Sequence, residues 1–166
     1  MQDLLPIAGK LGTLLKDRHE TISIAESSTG GLISAALLAV PGASAYFLGG
    51  AIVYTRESRR TLLDIPDSAF AGIRGVTEQL AQVLARGTLK RFATTWSLAE
   101  VGAAGPTGNR YGDPAGHSCI AIAGPVERAI TVKTGSSDRI ANMRAFAAAA
   151  LDVFSQCLAA SPAARS

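Results

Sequence analysis

Residues 25–31 read AESSTGG, and this stretch decides the fold expected for the N-terminal part of the chain. It follows the run TISI at 21–24, which is typical of a strand, and it opens a helical pattern that extends to Val40. The first backbone N–H groups of a helix lack intrahelical partners and attract negative charge. The same amides can stabilise the oxyanion that forms when a serine hydroxyl attacks a carbonyl. We therefore predict either chemistry or phosphate binding at this turn.

The composition is typical of a small globular protein. The 166 residues fit one domain, and 48% hydrophobic with only 17% charged residues argues against intrinsic disorder. The net charge is +3, and Arg56, Arg59 and Arg60 form the densest basic cluster. Because no basic run is interleaved with aromatic residues, we expect no nucleic-acid partner. Scattered arginines fit a small anionic ligand better.

The sequence favours a cytoplasmic protein without a membrane partner. Charged residues interrupt the N-terminal apolar pattern, so no signal peptide is predicted. Arg144 and Asp152 interrupt the alanine-rich C-terminal helix, and no segment is expected to be long and apolar enough to span a bilayer. Cys119 and Cys157 are expected to be buried free thiols in a reducing compartment.

Strand and helix patterns alternate along the chain. This alternation predicts a single-domain α/β layered fold over residues 1–160, with a mixed β-sheet packed by helices, and a frayed tail at 161–166. The run 50–55 is expected to be a buried strand, and the glycine- and proline-rich stretch 102–116 to be a functional loop. Helices are expected over 3–18, 32–40, 57–63, 77–92 and 140–158, and further strands over 21–24, 95–101, 118–123 and 129–133.

No metal or organic cofactor is expected. His19 and His117 are far apart, and neither HxxxH nor CxxC spacing occurs. The stretch 102–108 lacks the lysine and the spacing of a P-loop or a dinucleotide motif. A triad of Ser27, His117 and Asp113 is one arrangement that the composition allows.

The chain resembles the C-terminal domain of the competence/damage-inducible CinA proteins, the nicotinamide-nucleotide amidohydrolases, over nearly its whole length. Several separate blocks in the same order are a far more specific signal than one glycine motif. In the first block the family usually has Cys at the position of Ser28. The blocks are AESSTGG at 25–31, PGASAYFLGG at 41–50, VYT at 53–55, LL at 62–63, GVT at 75–77 and AGP at 104–106.

The resemblance implies a homo-oligomer that hydrolyses the carboxamide of nicotinamide mononucleotide to nicotinic acid mononucleotide and ammonia. It implies that Ser27 is the nucleophile and Tyr54 a second catalytic residue. The family's proton-transferring lysine corresponds to Arg59, the third residue of the expected catalytic set. The substrate-binding residues expected at the turn and in the glycine-rich loop are Ser28, Thr29, Gly30, Gly31 and Gly105.

Arg59 is the main departure from the family pattern. A buried lysine beside other cations can lose its proton, whereas arginine, with a pKa above about 12, stays protonated. Arg59 can hold Tyr54 or a substrate phosphate, but it cannot take a proton from Ser27. Loss of a general base lowers rates by roughly 10²–10⁴-fold. Either Tyr54 as a phenolate stabilised by Arg59, or His117, replaces the lysine, or the activity is weak or absent.

The glycine-rich loop departs from the family as well. Residues 101–108 read VGAAGPTG where the family form is closer to TGIAGP, and NRYGD at 109–113 is peculiar to this chain. A remodelled loop is consistent with a remodelled substrate within the amide-bearing nucleotides. Three hypotheses follow: a serine amidohydrolase, which we favour, a catalytically silent pyridine-nucleotide-binding module, and an interaction protein that keeps only the scaffold.

Overall fold

The computed structural model describes residues 1–162 as a single α/β domain of three layers, with one sheet between two layers of helices. The predicted fold class is therefore confirmed. The strands are β1 (Ile22–Glu26), β2 (Phe47–Ile52), β3 (Trp96–Ala103), β4 (His117–Ala123) and β5 (Arg128–Lys133). The helices are α1 (Leu5–Asp17), α2 (Leu32–Leu38), α3 (Arg56–Leu63), α4 (Glu78–Phe92) and α5 (Arg139–Ala160), joined in places by short 3₁₀ turns.

The sheet is mixed, with the strand order β2-β1-β3-β4-β5. Strand β1 runs parallel to both of its neighbours, whereas β3, β4 and β5 pair antiparallel. The chain leaves β1 towards β2 through α2 and later crosses to β3 through α4, so the strand order reverses beside β1. Ligands bind in open α/β sheets at the carboxyl ends of the strands where this reversal occurs.

Two apolar clusters cover the two faces of the sheet. On one face Ile24 and Leu98 lie under α1, α2 and α5. On the other face their chain neighbours Ala25 and Ala99 lie under α4, as the alternation of side chains along a strand requires, and α3 packs beside α4 against β2. The small residues on this second face allow α4 to approach the sheet closely.

Strand β2 differs from its prediction in position and in burial. It covers Phe47–Ile52 rather than 50–55, and its exposure alternates because it is an edge strand. Gly49 has a packing role in this strand, since a Cβ there would overlap the ring of Phe92. Leu48 and Ile52 are consequently about half exposed, at 48% and 50%.

Helix α5 corrects the expectation that no segment is long and apolar enough to span a bilayer. Within residues 1–162 it alone reaches that length and composition, because alanines outweigh Arg144 and Asp152. Its inner face, with Phe146 and Phe154, is buried against the sheet, which is the behaviour of a core helix.

The predicted ends of the chain and the two cysteines have separate outcomes. Cys119 and Cys157 are free and buried, as predicted, and burial raises the pKa of both thiols. Of the predicted frayed tail, residues 163–166 lie outside the described residues. Ser161 is buried, and its carbonyl accepts a hydrogen bond from Arg18 Nη1 at 3.1 Å.

Candidate active site

A cavity of about 830 Å³ opens at the carboxyl ends of the parallel strands, where the topology favours a ligand site. Ser27 follows β1, Tyr54 follows β2, and Arg59 lies on α3, and all three line this cavity. The structure therefore brings the predicted catalytic residues together. The predicted substrate-binding residues do not line it: Ser28, Thr29, Gly30, Gly31 and Gly105.

Glu100 is a fully buried carboxylate on β3, and it holds the turn that contains Ser27. Its Oε2 accepts hydrogen bonds from Ser27 N at 3.2 Å, Thr29 N at 3.0 Å and Thr29 Oγ1 at 3.0 Å. Its Oε1 accepts from Ser28 Oγ. Ser118 Oγ lies 2.9 Å from both Glu100 Oε1 and the Val101 carbonyl, and its single proton can go to either. The charge is thus compensated by donors of the turn rather than by a cation.

Glu26, the last residue of β1, binds the other half of the turn. It is also buried, and it accepts from Gly31 N at 2.9 Å, Ile33 N at 3.1 Å and Ser34 N at 2.8 Å. Ser34 Oγ donates to it as well, at 2.6 Å. These bonds satisfy the otherwise free N–H groups at the start of α2.

The two carboxylates correct the prediction that the amides of the turn form an open anion site. The N–H groups of Thr29 and Gly31 already donate to Glu100 and Glu26, so they have no free hydrogen to offer an external anion. The Ser28 hydroxyl is likewise engaged by Glu100. Gly30 adopts a positive φ of 63° and so serves the tight turn itself.

The hydroxyl of Ser27 is the group of the turn that remains available for chemistry. Ser27 lines the cavity, and its Oγ makes no hydrogen bond within residues 1–162, whereas its backbone N–H is fixed by Glu100. Gly102 keeps this region open on the β3 side, because a Cβ there would overlap Ser28 Oγ and crowd Glu100. A fixed backbone with a free hydroxyl is the arrangement that a nucleophile needs.

Tyr54 has a different partner from the one expected. Its hydroxyl accepts a hydrogen bond from Arg139 Nη2 at 3.3 Å, and Arg139 Nη1 also donates to the Gly105 carbonyl at 2.7 Å. Arg139 therefore joins the end of β2 to the glycine-rich loop. Gly105 is positioned by this contact, while Arg59 makes no hydrogen bond to Tyr54.

Arg59 is half-buried and has no carboxylate partner within residues 1–162. Its Nε is buried without a hydrogen bond, and its guanidinium lies 5.7 Å from the centre of the Phe70 ring. Burial lowers the pKa of Arg59, and the neighbouring charge of Arg56 lowers it further. The cavity that Ser27 lines thus contains a positive charge without an ion-pair partner in residues 1–162.

The triad of Ser27, His117 and Asp113 is not formed. His117 Nε2 lies 2.9 Å from the Val76 carbonyl, and neither His117 nor Asp113 lines the cavity of Ser27. Asp113 Oδ2 instead accepts from Val76 N at 2.7 Å. His117 is therefore not the replacement for the family lysine.

The sequence alone did not predict three residues of the site: Glu100, Arg139 and Asn142. A lone carboxylate inside the apolar strand 96–103 was a usable signal for Glu100, because such a charge needs buried donors. Asn142 Nδ2 donates to the Ala104 carbonyl at 2.7 Å and to the Ser136 carbonyl at 2.8 Å. The contacts of Arg139 with Gly105 and of Asn142 with Ala104 join residues more than 30 positions apart, and local patterns do not predict them.

Comparisons with known proteins agree on one family. The family model described as the CinA C-terminal domain matches residues 5–158. A CinA-like protein of Cyanothece sp. is 41% identical over 119 residues, which cover 72% of this chain and 28% of that protein. A CinA-like protein of Chloroherpeton thalassium is 34% identical over 167 residues, covering 95% and 38%. The chain thus spans less than half the length of these relatives.

A solved structure supports the same fold. The crystal structure of competence damage-inducible protein A from Klebsiella pneumoniae has a TM-score of 0.87 and 25% sequence identity, and the match covers 94% of this chain and 97% of that one.

Replacing Glu100 by Gln should destabilise the domain strongly. Its carboxamide would place an NH₂ donor among groups that also donate, so we expect the free energy of unfolding to fall by about 3 kcal/mol. Urea denaturation followed by circular dichroism measures this change. Glu127→Gln is the matched control, because Glu127 forms an exposed ion pair with Arg86 and its loss should cost at most about 1 kcal/mol. Equal losses in the two variants would contradict the role given to Glu100.

Proposed function

The chain belongs to the CinA C-terminal domain family, and from this premise we propose that it is a serine-dependent amidohydrolase. The proposed substrate is nicotinamide mononucleotide or a related amide-bearing pyridine nucleotide, and the products are the corresponding acid and ammonia. The observation that carries the proposal is the Ser27 hydroxyl, which makes no hydrogen bond to residues 1–162 and lines a ligand-sized cavity with Tyr54.

The proposed reaction begins with attack of Ser27 Oγ on the carbonyl carbon of the substrate amide. The hydroxyl proton leaves as the C–O bond forms, the C–N bond breaks with protonation of the departing ammonia, and water hydrolyses the resulting ester. The donors of Thr29 and Gly31 are engaged, which leaves the backbone N–H of Ser28 as the amide of the turn without an acceptor in residues 1–162. A donor directly after the nucleophile is a common oxyanion ligand.

Tyr54 is the group that we propose for proton transfer. Arginine does not act as a base, and His117 is bound to the Val76 carbonyl, so neither replaces the family lysine. Tyr54 lines the same cavity as Ser27 and receives a hydrogen bond from Arg139. This hydrogen bond fixes the position of the phenol oxygen that would take the proton.

A second candidate function is a catalytically silent module that binds a pyridine nucleotide. The uncompensated charge of Arg59 favours it, because this residue can hold an anion but cannot move a proton. The two candidates share one binding cavity and differ only in turnover.

We also propose that the protein is a homo-oligomer located in the cytoplasm. Leu48 and Ile52 are half-exposed on the edge strand β2, whose outer side is not paired within residues 1–162, and a second copy can cover them. The free, buried thiols of Cys119 and Cys157 are consistent with a reducing compartment.

Replacing Ser27 by Ala should remove ammonia release from nicotinamide mononucleotide. Without the nucleophile we expect the rate to fall by at least about 10³-fold. A coupled assay for ammonia measures the rate, and Ser155→Ala, in the C-terminal half of α5 and outside the cavity, serves as the control that keeps it. Wild-type protein that releases no ammonia above a blank at high concentration, or a Ser27→Ala variant as fast as wild type, would contradict the proposal.

Replacing Arg59 by Lys should raise the rate. Burial and the charge of Arg56, which lower the pKa at this position, would lower that of a lysine too, so a neutral amine becomes available as a base. We expect a gain of at least about 10-fold. Arg60→Lys, on the same helix but paired with Glu57, is the control. If the Arg59→Lys variant binds the nucleotide but hydrolyses it no faster than wild type, position 59 takes no part in proton transfer.

Replacing Leu48 by Lys should weaken self-association. Light scattering coupled to size-exclusion chromatography should give a multiple of the monomer mass for wild type and a smaller species for the variant, because a charge opposes pairing at a strand edge. Thr61→Lys on the exposed side of α3 is the control. A wild-type protein that elutes as a monomer at high concentration would contradict the oligomer.

A further inference from the structure

The cavity of Ser27 carries an excess of positive charge from two separate segments. Arg56 and Arg59 come from α3, and Arg110 comes from the loop between β3 and β4. Of the carboxylates that line it, Glu57 binds Arg60 Nη2 at 2.7 and 2.9 Å, so its charge is already compensated. Asp67 is the remaining one, and it is exposed. The cavity is therefore lined by three arginines and by one carboxylate, Asp67, that forms no ion pair within residues 1–162.

Arg59 is the innermost of the three arginines. Its Nε is buried without a hydrogen-bond partner in residues 1–162, and no carboxylate forms an ion pair with it there. A buried cation without a counter-charge is costly, and an anionic ligand that accepts hydrogen bonds from the guanidinium offsets that cost. The Arg59 guanidinium is therefore suited to bind an anionic ligand.

Arg110 is presented by a loop with a fixed internal structure. Asn109 Oδ1 accepts from Tyr111 N at 2.9 Å and from Asp113 N at 3.1 Å. Asp113 Oδ2 accepts from Asn109 Nδ2 and from Val76 N, both at 2.7 Å, and so ties the loop to the segment before α4. These hydrogen bonds therefore hold the loop 109–113 in a fixed conformation along one wall of the cavity.

Tyr111 shows that this wall faces the arginines of α3. Arg110 Nη2 donates to the Tyr111 hydroxyl at 2.9 Å, and this bond is the main cause that lowers the pKa of the phenol. The charges of Arg110 and Arg56 lower it further, which requires Arg56 to be close to the loop. Two aromatic side chains, Tyr111 and Phe70, also line the cavity beside these cations.

We propose that Arg56 and Arg110 form a subsite for a phosphate monoester dianion in the cavity that contains Ser27. The ligand's phosphate lies between these two arginines while its amide reaches the serine hydroxyl, and the identity of that second end rests on the proposed function. Guanidinium groups bind phosphate oxygens through pairs of parallel hydrogen bonds, which an ammonium group does not do.

Titration calorimetry with two product-type probes tests the subsite independently of turnover. Nicotinic acid mononucleotide and nicotinic acid riboside differ only in the phosphate, and neither contains the amide that Ser27 would attack. We expect the mononucleotide to bind at least about 100-fold more tightly. Arg56→Gln and Arg110→Gln should each weaken its binding by about 10-fold. Arg91→Gln, an exposed arginine of α4 outside this cavity, removes the same charge and should leave binding unchanged.

The outcomes separate this inference from the proposed function. Arginine-dependent binding of the mononucleotide without ammonia release from nicotinamide mononucleotide would support the subsite and overturn the hydrolase. Equal affinity for the mononucleotide and the riboside would overturn the subsite whether or not ammonia is released. Binding that is insensitive to Arg56→Gln and Arg110→Gln, or no binding of the mononucleotide to folded protein, would overturn it as well.

Discussion

The buried carboxylate of Glu100 is the constraint on which the site depends. It reaches from β3 to the turn after β1 and fixes the backbone N–H groups of Ser27 and Thr29. A fully buried charge is stable only when donors surround it, and the turn supplies those donors. The carboxylate and the turn therefore require each other, and their pairing leaves the Ser27 hydroxyl facing the cavity. Glu26 completes the arrangement by capping α2.

The buried carboxylates also determine whether the glycine turn can bind an anion. A strand–turn–helix with free amides would bind an anion directly, but here protein carboxylates occupy that position. The positive charge needed for an anionic ligand is supplied instead by side chains of α3 and of the loop 109–113. In this site a rigid turn positions the Ser27 hydroxyl, and the arginines of α3 and of the loop 109–113 supply the positive charge that suits a phosphate. Arg139 joins the end of β2 to the glycine-rich loop by its contacts with Tyr54 and Gly105.

The sequence predicted the layered α/β fold well, because helical and strand periodicities are local and strong. It also predicted that Ser27, Tyr54 and Arg59 belong to one site, through the family resemblance. It placed β2 at 50–55 instead of Phe47–Ile52, because it followed the apolar run 51–54, and Gly49, which accommodates the Phe92 ring, gives no apolar signal. It could not predict the acceptors of the turn, because Glu100 lies 73 residues from Ser27. Such long-range contacts depend on the order of the strands in the sheet, and the hydrophobic periodicity of the sequence does not specify that order.

The most direct test of the central claim is amide hydrogen exchange, measured by NMR, at the turn itself. If Glu100 holds the turn, the amides of Ser27 and Thr29 exchange at least about 10³-fold more slowly than in an unstructured peptide, because their exchange requires an opening that exposes the buried carboxylate. Exchange of these two amides at the rate of an unstructured peptide would contradict the account, since Ser27 would then lie on a mobile turn without a fixed hydroxyl.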